Sequence, residues 1–198
     1  MPRQIGTVTE TVAPAAVVVT TEELRRHLSL ALDDMSNEAE LEGYVAAATR
    51  YGQRMEGQQY IEATFTYDLD YFPAGIITLP RPPLSSITSI QYVDTNGDTQ
   101  TLSTDVYETD AKSRPARIAE KTGQVWPATE SGLNKVTITY VAGYGTARTD
   151  VPATTRHAVK MLAAHLWTHR EPMLEGSLIE VPVGLKALFR IEKHGHIF

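Results

Sequence analysis

Met55-Glu56-Gly57-Gln58-Gln59-Tyr60-Ile61-Glu62-Ala63-Thr64-Phe65-Thr66-Tyr67-Asp68-Leu69-Asp70-Tyr71 holds the change of hydrophobic period on which the fold turns. From Ile61 to Tyr71 every odd residue is apolar, while Glu62, Thr64, Thr66, Asp68 and Asp70 alternate with them, as in a strand with one face in a core. Before it, Leu41, Tyr44, Val45, Ala48, Tyr51, Gly52 and Met55 follow the three-four spacing of one helical face. A helix therefore delivers the chain into a sheet near residue 58.

Working backwards, Asn37 and Glu40 have capping-box spacing for that helix, and Thr20 and Glu23 have it for an earlier one. Leu24, Leu28 and Leu32 stripe this first helix, with His27 and Ala31 beside them, and it should end before Asp33-Asp34-Met35-Ser36. So short a link predicts an antiparallel helical hairpin. Residues 1–19 mix Thr, Val, Pro and Gly without helical period and read as an extended arm or an edge strand.

Working forwards, strands are expected at Gly75–Leu79, Ile87–Val93 and Thr99–Leu102, with shorter ones near Val106-Tyr107 and Ala116–Ala119. Asn96-Gly97 marks a hairpin, since both residues tolerate positive φ. Val136, Ile138 and Tyr140 alternate with Thr137 and Thr139 in a last strand that stops at Ala142-Gly143-Tyr144-Gly145. Asp150 can cap a third helix with Pro152 in its first turn, and Ala158, Val159, Met161, Leu162, Ala163, Leu166 and Trp167 give it so broad an apolar face that it should lie central in a bundle. Glu171-Pro172 ends it, and Val181-Pro182-Val183-Gly184 introduces a last helix bearing Leu185, Leu188 and Phe189. The chain thus reads as α+β. A helical bundle of two N-terminal and two C-terminal helices (20–57 and 148–198) carries an inserted antiparallel β domain (58–147), after an extended N-terminal arm (1–19).

The 198 residues are 42% hydrophobic and 21% charged, enough for an ordinary core. Cysteine is absent, which excludes disulfide scaffolds, thiolate metal sites and a cysteine nucleophile. Eighteen Lys and Arg against 24 Asp and Glu give a net charge of −6, the wrong sign for a dedicated nucleic-acid binder. Ala15-Ala16-Val17-Val18-Val19 is too short to span a bilayer, and with Ala13-Pro14-Ala15 ahead of the valines it is not arranged as a signal peptide.

Candidate chemistry is sparse. His165 and His169, at i and i+4 on the third helix, could face one metal ion with Glu171 as a third ligand, the basis of a metal-dependent hydrolase. Leu166 stands where the glutamate of a His-Glu-x-x-His motif belongs, and packing or an interface accounts for the pair. Asp68-Leu69-Asp70 puts two carboxylates on the polar face of its strand, where Glu62, Thr64 and Thr66 continue the row, so a solvated face or subunit contact explains it better than a cation site. Asp94, Asn96 and Asp98 match the start of a calcium loop, but Thr99 replaces its glycine and Asp105 its final glutamate, and a hairpin turn needs the same residues. Pro80-Arg81-Pro82-Pro83 suits a stiff corner, Gly143-Tyr144-Gly145 lacks the rest of a phosphate loop, and Ser177 is not in a Gly-x-Ser-x-Gly elbow. The apolar chain ends are less easily absorbed: Val12, Val17, Val18 and Val19 in the arm, and Leu185, Leu188, Phe189, Ile191, Ile197 and Phe198 in the tail. Such ends either fold back or grip a neighbour.

The succession of Val19-Thr20-Thr21-Glu22-Glu23-Leu24-Arg25-Arg26-His27-Leu28, the second helix, Leu79-Pro80-Arg81-Pro82-Pro83-Leu84 through Asp94 and Gly97, and Val136–Gly145 resembles the small head-tail connector, or adaptor, proteins of tailed bacteriophages and prophages. Asp150-Val151-Pro152 leading to Ala164-His165, then His169-Arg170-Glu171 and Val181-Pro182-Val183-Gly184-Leu185, continue the pattern in order over residues 15–190. The resemblance implies a non-catalytic virion protein of the phage neck, assembled in the host cytoplasm, without cofactor or membrane contact. A homo-oligomeric ring of about twelve subunits would sit under the portal protein, extend the DNA channel, and offer a docking surface to a stopper or tail-completion protein. On this reading Leu185, Leu188, Phe189, Ile197 and Phe198 are the expected portal-binding residues, and Asp68 and Asp70 the expected lumen-facing ones. A stopper or tail-terminator subunit of the same neck is the alternative within the class.

Overall fold

The structure, a computed structural model, describes residues 6–169 and 181–191. It is mixed α+β, with four α-helices and eight antiparallel-paired strands among the described residues, and it divides into two compact units. One comprises residues 6–15 and 62–144, the other 16–61, 145–169 and 181–191. No helix among the described residues is long and apolar enough to cross a membrane.

In the first unit, β1 (Gly6–Val12), β2 (Ala63–Leu69), β4 (Leu84–Val93), β5 (Thr99–Thr101) and β8 (Val136–Ala142) form a sheet in the order β1-β2-β8-β4-β5. A smaller sheet has the order β3-β7-β6, from Ile77–Thr78, Arg117–Glu120 and Tyr107–Asp110. The period-two pattern sets the register: Phe65 opposes Tyr140, Tyr67 opposes Ile138 and Leu69 opposes Val136, all buried. They share one core with Ile77 and Ile118 of the smaller sheet and with Leu79 and Ala116 beside it. Tyr140 stays satisfied there by donating its hydroxyl to Pro80 O at 3.0 Å, while burial pushes its ionisation upward. The N-terminal arm contributes β1 as an edge strand. Gly6 lies against the Tyr67 ring and the Leu69 side chain, so a Cβ has no room there.

In the second unit, α1 (Thr21–Leu28) begins with the expected reciprocal cap: Thr20 Oγ1 accepts from Glu23 N, and Glu23 Oε2 accepts from Thr20 N. It ends a turn earlier than the leucine stripe predicts, at Ser29 with φ 58°, leaving Leu32 exposed. The cause is tertiary. The buried Arg25 guanidinium donates to Ala31 O at 3.4 Å and pairs with Glu38 at 2.8 Å, which requires the chain to turn back around it. The second cap also differs. α2 runs Glu38–Glu56, but the Asn37 side chain makes no cap bond and donates instead to Ser36 Oγ, while Glu38 is drawn to Thr21 and Arg25. α3 (Ala153–Thr168) follows a 3-10 turn at Arg148–Asp150, with Pro152 at the cap position expected of Asp150, whose carboxylate accepts from Ala147 N. α3 packs on α1, α2 and α4 (Val183–Ile191), the central position its broad apolar face predicts. Gly52 makes way for α4, since a Cβ there would lie 2.5 Å from the Phe189 ring and from the Tyr60 hydroxyl.

Candidate functional site

The two histidines of α3 do meet. Their ring centroids are 4.3 Å apart, and His169 Nδ1 lies 2.9 Å from His165 O. Burial, followed by the neighbouring His169, lowers the pKa of His165, which favours the neutral ring. Among the described residues no group of three or more His, Cys, Asp or Glu is placed to hold a metal ion, and Glu171 lies outside them. Two imidazoles alone make half a zinc site at most.

Asp68 and Asp70 are half-buried and engaged separately. Asp68 Oδ1 accepts from Thr137 Oγ1 at 2.7 Å across the β2–β8 ladder, and Asp70 Oδ1 accepts from Asn134 N at 3.0 Å. The register adds what single strands could not disclose. Thr7 and Thr9 of β1, Thr64 and Thr66 of β2, and Thr137 and Thr139 of β8 share one face of the five-stranded sheet with Asp68, giving a row of hydroxyls with no cation among them.

The Asp94 loop is a turn. Asp94 accepts from Gln100 Nε2, Asn96 N and Asp98 N, bonds that hold its carboxyl below the usual range and occupy the oxygens a cation would need. Asn96 does not take positive φ; only Gly97 does, at 89°. The proline corner at residues 80–83 sets Arg81 at φ 61° and presents Pro83 O to Gly143 N.

Of the tail residues, Leu185 and Phe189 are buried, Phe189 completely, and Leu188 is half-buried. Tyr51 meets Phe189 edge to face at 5.8 Å, so these two side chains form the inner face of α4 and do not present an open surface. The exposed apolar residues of that helix are Val183 and Ile191. Ile197 and Phe198 lie outside the described residues.

Four large apolar residues of the loops after β2 and before β8, Tyr71, Ile76, Val125 and Leu133, are more than half exposed. Phe72 stacked on Trp126 at 5.0 Å and Trp126 Nε1 bonded to Gly75 O tie the two loops together. Loop residues carry no period, which is why the stack of Phe72 on Trp126 appears only in three dimensions.

No protein-family model matches the chain, and no curated protein matches it. Solved structures do. The chain is similar to one in the neck of an empty gene transfer agent particle computed with sixfold symmetry, at 23% identity and TM-score 0.79. It is also similar to one in the virion of a native gene transfer agent particle, at 22% identity and TM-score 0.78, and to one in the neck of a native particle computed with twelvefold symmetry, at 22% and 0.76. Each likeness covers 97% of this chain and 97% of the other, so both units together have the fold found in these particle and neck structures.

Proposed function

We propose that this chain is a structural, non-catalytic subunit of a phage-like neck, the head-tail adaptor whose copies form a ring under the portal. The observation that carries the reading is the full-length likeness to chains of gene transfer agent necks computed with sixfold and twelvefold symmetry. A ring is a closed set of heterologous contacts, for which each copy needs two unlike surfaces. The four helices favour an adaptor over a stopper or tail-terminator, which are expected to be mostly β.

In such a ring the acidic chain suits passage of DNA. Twelve copies would carry about −72 formal charges, and a face with hydroxyls and carboxylates but no cations would repel phosphate instead of retaining it. We assign Asp68 and Asp70 to that lumen. We assign portal docking to the C-terminal segment, with Leu185 and Phe189 anchoring α4 from within, Val183 and Ile191 exposed on its outer face, and Leu188, Ile197 and Phe198 as further contact residues of the proposal. Electron microscopy and mass measurement of the chain mixed with its portal test the reading. A ring of copies on the portal is the expected result; a chain that stays single and leaves the portal bare overturns it. Turnover dependent on His165 and His169 with added zinc would do the same in favour of a hydrolase.

A further inference from the structure

We propose that the five-stranded sheet runs on from one copy of this chain into the next, the free edge of β1 pairing antiparallel with the free edge of β4 in a neighbouring copy. The inference deepens the ring reading above and rests on it.

Both rims of the sheet are open among the described residues. β1 lies at the end of the strand order and is paired in even register with β2 from Gly6 to Glu10, and no backbone hydrogen bond reaches its other side. At the opposite rim β5 pairs only with Gln91–Val93 of β4, and residues 84–89 keep that side unladdered. An open edge is a template for another strand, and proteins that avoid such pairing blunt the edge with charge, proline, β-bulges or extreme shortness. The smaller sheet is blunted in this way: β3 has two residues, and β6 carries Glu108 and Asp110. The larger sheet is blunted less, by bulges at Glu10/Val12, Leu84/Ser86 and Ile87/Ser89 and little else. Glu10 is the one charge in Gly6–Val12, and Leu84-Ser85-Ser86-Ile87-Thr88-Ser89 has none, with no proline in either. The bulges of β4 at Leu84/Ser86 and Ile87/Ser89 bend that rim, the device by which a sheet acquires curvature.

Strand direction is compatible with this pairing in a ring whose axis runs along the strands. β1, β2, β8 and β4 alternate, so β1 and β4 run opposite ways within one copy. Rotation about an axis along the strands leaves each direction unchanged, and β4 of one copy therefore meets β1 of the next antiparallel. The two rims differ, so the contact is heterologous and propagates in one sense around a ring.

Cross-linking tests this, because the chain has no cysteine of its own. Cysteines are paired in every combination of Thr7, Thr9 or Thr11 with Ser85, Ser86 or Thr88, and the full-length variants are assembled on the portal and oxidised. Within one copy β1 and β4 stand three strand spacings apart, about 14 Å, beyond the reach of about 7 Å between the Cα atoms of a disulfide, so any bond joins two copies. The expected result is a ladder of dimers, trimers and larger species for at least one combination, with each single-cysteine variant stopping at dimers. Rings visible by microscopy but no ladder from any combination would overturn the shared sheet and leave the ring reading intact. No ring and no ladder would overturn both.

Discussion

Arg25 decides where a helix stops. Its side chain is 3% exposed, and it is held by Glu38 and the Ala31 carbonyl, contacts that no local pattern announces. Glu38 in turn is held below its ordinary pKa, first by the Thr21 hydroxyl and then by Arg25. A carboxylate depressed in the folded state contributes its stability above the unfolded value near 4.5 and loses it as pH falls through the folded value. Glu38→Gln should therefore lower the urea midpoint at pH 7, and the gap from the parent should close as both are titrated from pH 5 to pH 2. The exposed pair Glu22–Arg26 is a suitable control, since Glu22→Gln should shift the midpoint little. Gly52 supplies an opposite case. Alanine is the better helix former by about 1 kcal/mol, but forcing a Cβ against Phe189 and Tyr60 costs about 1–3 kcal/mol, so Gly52→Ala should destabilise the helical unit, read as a lower midpoint in thermal or urea unfolding.

Among the elements, those with strong period were legible and those without were displaced. β2 and β8 follow directly from the alternation at Ala63–Leu69 and Val136–Ala142, because only one register buries both apolar rows. The position of α3 followed from the width of its apolar face. α2 starts where its spacing predicts, with Asn37 at the cap position, but the Asn37 side chain donates to Ser36 Oγ and makes no cap bond. α4 forms where the sequence predicts it, but two residues of its stripe, Leu185 and Phe189, turn inward. Its leucine and phenylalanine look like a docking stripe in isolation, yet Phe189 is fully buried and Leu185 nearly so. Phe189→Ala should accordingly cost about 3–5 kcal/mol of unfolding free energy, measured by chemical denaturation, where a partner-facing residue would cost little in the free subunit.

At the scale of the whole molecule, the buried inner face of α4 changes what a truncation can report. Removing residues 184–198 takes core side chains with it, whereas removing 192–198 spares Leu185 and Phe189. The shorter deletion should leave the unfolding free energy from urea titration within about 0.5 kcal/mol of the parent and abolish joining to the portal; retained joining would remove the docking assignment. Asp68→Lys with Asp70→Lys should slow DNA passage or ejection in rings that still assemble, and unchanged passage would count against a lumen at that face. The amino-acid sequence by itself determined the α+β order, the cysteine-free and acidic character, and which faces of the periodic elements turn inward, because hydrophobic period and charge are local properties. The tertiary structure alone decided the hydroxyl row across β1, β2 and β8, the open rims of the sheet, the apolar loops around Phe72 and Trp126, and the inward turn of Phe189. Each of these depends on register or on contacts between residues far apart in the chain, and such contacts are set only when a shared core selects one pairing among many.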